Sequence, residues 1–242
     1  DLEAVWHELE VAPQTRRRFC ILAFGKLGGN ELNYSSDIDL LGVYEDGPAE
    51  DRERDARQFA EALTRLRADL SVHTADGHAY RVDFRLRPYG SSGPLVQPVT
   101  AVVRYYAERA SLWEHQALIK VTPVAGNVDL GSDLLEQIKP ASLTRFSSEE
   151  IRSSIRRLRE EAVRLTGRAD DVKSGEGGIR DIEFLVQGAQ MIASPDHPEV
   201  LTGNTLEAIA RLGNVGIIPE TTAARLAEDY RRLRRVEHYL QV

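Results

Sequence analysis

Two short runs, FCILAFG (19–25) and IDLLGVYE (38–45), are apolar at nearly every position instead of alternating. Such runs fit strands buried on both faces. AYRVDFRLRP (79–88) does alternate, with Tyr80, Val82, Phe84 and Leu86 opposed to Arg81, Asp83, Arg85 and Arg87. That period of two predicts a half-buried strand with a charged face, ended by Pro88. Between these runs, residues 50–70 place Ala56, Phe59, Leu63, Leu66 and Leu70 on one helical face. From about residue 98 the helical period takes over, through AVVRYYAERASLWEHQALIK, a connector around Pro140 and a helix over 147–165. Ile151, Ile155, Leu158, Ala162 and Leu165 form the stripe of that last helix, capped by Ser147 or Ser148. GEGGIRDIEFLVQGAQMI (175–192) opens with glycines and continues as helix, and a final helix turns Leu226, Tyr230, Leu233 and Leu240 inward. Trp113 and His115, two apart on a helix, face different sides, with Trp113 the inward one. The pattern predicts an α+β fold: a mixed unit over 1–140, then a helical unit over 141–242.

Composition narrows the class. The 242 residues are 42% hydrophobic and 29% charged, as in an ordinary soluble globular protein. No apolar run reaches the ~18 residues that cross a bilayer, so no membrane partner is expected. There is no charged-then-apolar leader, and the single cysteine, Cys20, lies in an apolar run, so a cytoplasmic, reduced setting with Cys20 in the core is expected. The net charge of −7 argues against a nucleic-acid binder. Of 31 basic residues only Lys26, Lys120, Lys139 and Lys173 are lysine, leaving 27 arginines, whose planar fork suits phosphate. With Asp1 first and Met191 its only methionine, the chain reads as a piece of a longer protein.

The candidate chemistry lies in GKLGGNELNYSSDIDLLGVYE (25–45). Gly25, Gly28 and Gly29 let backbone N–H groups approach a phosphate, and Ser36 adds a hydroxyl donor. Taken alone, the glycines equally describe a tight turn. Asp37 and Asp39 are two apart on a strand and point the same way, and Asp83 on the charged strand supplies a third carboxylate. Three carboxylates make a sensible two-metal phosphoryl-transfer site for Mg²⁺ or Mn²⁺. Asp83 also has a structural alternative, an ion pair with Arg81, Arg85 or Arg87. The six histidines show no zinc-ligand spacing.

The order Gly-Lys, short turn, Ser36-Asp37-Ile38-Asp39, later Asp83 resembles the nucleotidyltransferase superfamily that includes DNA polymerase β. Lys26 replaces the usual serine there and offers an ammonium instead. GKLGGNELNYSSDIDL, YRVDFRLRPYGSSGPLV, WEHQALIK and GGIRDIEFLVQ come in the order found in the glutamine synthetase adenylyltransferase family. The resemblance spans roughly residues 15 to 242. It implies a polymerase β-like core with a small mixed sheet followed by a C-terminal helical bundle. It implies Asp37, Asp39 and Asp83 as metal-holding catalytic residues. Phosphate or nucleotide contacts fall on Gly25, Lys26, Gly28, Gly29, Ser36, Arg85, Arg87 and Arg180. Mg²⁺ or Mn²⁺, ATP or ADP, glutamine synthetase and, through a longer chain, the PII signalling protein are the implied cofactors and partners. Asn33 to Leu40 and the arginine of GGIRDIEF look like the domain that removes AMP by phosphorolysis, whereas WEHQALIK and NTLEAIARL look like the adenylylating one. The reading leans to removal. Its alternatives are adenylylation, transfer to another regulatory protein such as PII, and a non-catalytic nucleotide-binding module.

Overall fold

The computed structural model describes residues 2–34, 36–73, 79–166 and 171–240. The chain divides into two compact units. One comprises Asp1–Leu32, Ser36–Ala110 and Lys120–Pro140; the other comprises Asn33–Ser35, Ser111–Ile119 and Ala141–Val242.

The first unit is built on strands β1 (Phe19–Phe24), β2 (Ile38–Tyr44), β3 (Val82–Asp83), β4 (Val96–Pro98) and β5 (Thr122–Gly126). Its sheet runs β3-β2-β1-β5, with β4 also paired to β2. β1 is antiparallel to β2 and β5, while β3 and β4 lie parallel to β2 along its other edge. The helices of this unit are α1 (Leu2–Glu8), α2 (Pro13–Arg16), α3 (Gly25–Gly28), α4 (Arg52–Ser71), α5 (Val99–Glu108) and most of a later helix, Val128–Leu143. β1 is buried at all six positions, as its unbroken apolar run requires. Phe19, Ile21 and Ala23 join Leu2, Val5, Trp6, Phe59 and Leu63 in one core. Phe59 of α4 stacks on Phe19 at 5.0 Å between ring centres and meets Tyr44 at 5.2 Å and Trp6 at 6.3 Å. Cys20, on the opposite face, lies against Gly131, where a Cβ would come within 2.6 Å of its Sγ. Burial pushes the Cys20 thiol up to about 12, so it is an inert core group.

The alternating strand is shorter than its sequence pattern. Only Val82 and Asp83 pair with β2, and the chain then turns. Two side chains end the strand. The Asp83 carboxylate accepts from the Arg85 backbone N–H at 2.8 Å. The Arg87 guanidinium donates to the carbonyls of Phe84, Ser91 and Gly93 at 2.8–3.0 Å, drawing 84–93 into a loop.

The second unit holds α6 (Leu112–Ala117), the end of α7 (Val128–Leu143), α8 (Ser148–Thr166), α9 (Ile179–Ala193), α10 (Thr205–Asn214) and α11 (Glu220–Leu240). Pro140 is inside α7 and not in a connector. Burial of Leu143 with Ile119, Ile151 and Met191 carries the helix past it. Ser147 caps α8 reciprocally: its N–H and hydroxyl donate to Glu150 at 2.9 and 2.7 Å, and Glu150 N–H donates back at 3.3 Å. Leu165 and Ser35 fall outside the described residues or side chains.

Two inward assignments reverse. His115 is fully buried, edge-on to Phe146, and Trp113 is 40% exposed. The capping box from Ser111 to Glu114 sets the phase of α6 so that Leu112, His115 and Gln116 turn inward. Leu240 is 72% exposed, because Glu237 takes the buried position of the last turns of α11, bonded to Arg234 and to Asn33. Removing the ring that the first core closes around is the sharpest stability test. Phe59→Ala should cost about 3–5 kcal/mol, read as a lower urea midpoint with unchanged slope.

Candidate active site

β2 is buried at every position except Asp39, which is half-buried. Register fixes what Asp39 faces. It stands opposite Phe24 on β1 and opposite Asp83 on β3. Gly25 follows Phe24 with φ +58°, and a Cβ there would come 3.1 Å from Asp39 Oδ2. Glycine is therefore needed twice, for a left-handed backbone and for room beside a carboxylate. Lys26, Gly28 and Gly29 complete α3 and its exit, with Gly29 N–H bonded to Gly25 at 2.9 Å.

The other two aspartates carry arginines. Asp37 is exposed and bonded by Arg81 Nε at 2.6 Å. Asp83 receives Arg85 through its backbone N–H, Nε at 2.7 Å and Nη2 at 2.6 Å. Those Arg85 hydrogen bonds hold the Asp83 carboxyl below the usual carboxylate range against the opposing effect of burial. Arg85 is raised in turn by its hydrogen bond to Asp83, with added fields from Asp39 and Asp37. One guanidinium therefore lies in the field of all three carboxylates. Arg87 adds its field at Asp83 while its guanidinium donates to the loop carbonyls of Phe84, Ser91 and Gly93. Ser36 is buried, and its hydroxyl has no hydrogen-bond partner among the described residues.

Arg180 stands in the second turn-forming position of α9, in the helical unit, half-buried and without a hydrogen bond or ion pair from its guanidinium among the described residues. The amides at this helix start are not open to an anion. Ile179, Arg180 and Asp181 donate to Val172, Lys173 and Gly178, and Gly177 donates to Asp181. Any anion here would be met by the Arg180 side chain, with the exposed Lys173 nearby in sequence, and not by backbone.

Among the described residues no three acidic, histidine or cysteine side chains already converge as a metal cage. The donor set still suits a hard divalent cation: three carboxylates, two of them register partners on adjacent strands. Arg81 and Arg85 are 71% and 79% exposed, and such solvated pairs hold only weakly, so displacing them costs little. A buried ion pair between Glu31 and Lys120 escaped the sequence reading, because partners 89 residues apart leave no local spacing to detect.

Residues 3–137 match the family model for glutamate-ammonia ligase adenylyltransferase. The chain belongs to that family. Residues 149–242 match the model for GlnD PII-uridylyltransferase. Curated relatives include a bifunctional glutamine synthetase adenylyltransferase/adenylyl-removing enzyme of Hahella chejuensis, 37% identical over the whole of this chain and 26% of its own length. Enzymes of the same description from Pseudomonas aeruginosa and Streptomyces coelicolor are 37% and 36% identical over 93% and 94% of the chain. The chain spans about a quarter of the length of these relatives. No helix among the described residues is long and apolar enough to cross a membrane.

The Asp83–Arg85 pair has a pH signature. Because the folded carboxyl is depressed, its contribution to stability is complete above the ordinary value near 3.8 and is lost as pH falls through the lower folded value. Arg85→Ala should move the Asp83 titration upward, measured by the carboxyl carbon shift in an NMR pH series. An unmoved midpoint would remove Arg85 as the cause.

Proposed function

We propose that this chain is a nucleotidyl-transfer domain that removes AMP from the modified tyrosine of glutamine synthetase. The observation that carries the transfer chemistry is the register of Asp39 against Asp83 beside Gly25. Residues 1–140 are assigned that chemistry, and 141–242 are read as its helical domain. Asp37, Asp39 and Asp83 would hold Mg²⁺ or Mn²⁺, which supplies charge neutralisation at phosphate oxygens. Gly25, Lys26, Gly28 and Gly29 form the turn that would meet phosphate. Ser36 offers a hydroxyl whose buried, unpartnered state is costly unless a ligand or water accepts from it. Arg85, already in the field of the three carboxylates and largely exposed, would be placed to donate to a phosphate oxygen.

In the proposed direction an oxygen of inorganic phosphate bonds to the adenylyl phosphorus. The bond from phosphorus to the tyrosine oxygen breaks, the tyrosine oxygen takes a proton, and ADP leaves. Asp83 need not act as a base in this direction, which agrees with a carboxyl held below its ordinary range. Adenylylation is the second reading: the tyrosine oxygen bonds to the α-phosphorus of ATP and pyrophosphate leaves. The names of the relatives cover both activities. What supports removal is the Asn33–Leu40 motif together with an Arg180 guanidinium that no described residue engages, suited to the extra anion that phosphorolysis must hold. A cytoplasmic setting, and a PII partner acting through a longer chain, complete the reading.

The test incubates the chain with adenylylated glutamine synthetase and phosphate, and separately with unmodified enzyme and ATP, following the mass of the synthetase. AMP should leave in the first mixture only. Arg180→Ala should raise the KM for phosphate far more than the KM for the modified protein. ATP-dependent gain of AMP with no phosphate-dependent loss would reverse the direction, and neither reaction would end the proposal.

A further inference from the structure

The glycine turn is fastened from beneath by groups with no part in the chemistry above. Gly28 is pressed between the end of β1 and the turn that leads into β5: a Cβ on it would come 2.0 Å from the Lys120 carbonyl oxygen and 2.4 Å from that of Ala23. Thr122 Oγ1 donates to the Gly28 carbonyl at 2.9 Å. At the exit of the turn, Glu31 N–H donates to the Lys26 carbonyl at 2.8 Å. The Glu31 carboxylate then receives Lys120 Nζ at 2.6 Å, with the two side chains 6% and 7% exposed. Lys120 therefore grips the turn at two points, through its backbone at Gly28 and through its ammonium at Glu31.

Burying two charges is a poor route to stability, since well-packed apolar chains of similar size often hold as well or better. What a short ion pair adds is direction and a single separation, because its energy depends on bonding geometry as apolar packing does not. We infer that the Lys120–Glu31 pair is a positioning device that fixes the register of residues 25–31, so that the turn presents one backbone surface to the phosphates of the nucleotide. The inference rests on the reading of that turn as the phosphate contact. Lys120 itself, nearly inaccessible and committed to Glu31, is a positioning residue and does not touch substrate.

Glu31→Asp keeps the charge but withdraws the carboxylate by one methylene. Glu31→Leu combined with Lys120→Met replaces both charges with apolar groups and protects the fold. In the parent, the amides of Gly29, Asn30 and Glu31, all hydrogen-bonded, should exchange slowly with solvent deuterium. In Glu31→Asp they should exchange faster while those of Phe19–Phe24 stay protected. The KM for the nucleotide product or substrate should rise ten-fold or more, within the ~10²-fold that a 1 Å misplacement can cost, with kcat changed less. The double variant should melt near the parental temperature and still show the raised KM. Fast exchange of the three amides in the parent would overturn the inference, as would a parental KM in either variant. If one variant fails to fold, the other decides. A parent that binds neither ATP nor ADP with Mg²⁺ would instead sink the phosphate reading, while the exchange result stands separately.

Discussion

The pairing of β2 along both of its edges is the constraint on which the site depends. A slip of one position would turn Asp39 into the core face where Leu40 now lies, burying a carboxylate in apolar surroundings. The core thus fixes Asp39 opposite Phe24 and Asp83 at once. Gly25, the residue after Phe24, is brought beside the same carboxylate. A glycine turn and two acidic side chains meet because β2 is paired in this register along both edges.

Electrostatics then decides how that cluster is tolerated. Three like charges on neighbouring strand ends would repel, and the chain answers with two solvated arginines instead of buried ones. Exposed pairs are weak and exchangeable. Neither pair is locked in place by burial. The Lys120–Glu31 pair beneath the turn is the opposite case, buried and not exchangeable. The exposed pairs lie at the aspartates and the buried one beneath the turn.

Much of this was legible in the sequence, for reasons that can be named. β1 and β2 were readable because an unbroken apolar run admits few alternatives, and Phe59, Leu63 and Leu66 showed a helical face that the core does bury. β3 was misjudged in length because alternation continues through Arg85 and Leu86, while strand pairing ends when Asp83 and Arg87 bond the local backbone. Such side-chain ties have no periodicity. Trp113 and His115 exchange places relative to the expectation because the two-residue spacing separates their faces without choosing between them, whereas the cap at Ser111 and Glu114 sets the phase. Glu237 was invisible for a related reason: a buried acid is admitted only by partners, Arg234 and Asn33, one of which is distant in sequence. Of the arginines that hold the aspartates, Arg85 on Asp83 was among the ion-pair partners that the alternation of charge offered, whereas Arg81 on Asp37 was not.

The central claim is that Asp39 and Asp83, brought together by β2, form the heart of a divalent-cation site. Water-proton relaxation during titration with Mn²⁺ measures it directly and needs no protein substrate. The account predicts that the parent chain binds Mn²⁺ and that Asp39→Asn weakens binding by at least the roughly 10- to 100-fold lost when even an outer-shell partner is removed, with the melting temperature little changed. Equal Mn²⁺ affinity in the parent and in Asp39→Asn would contradict it.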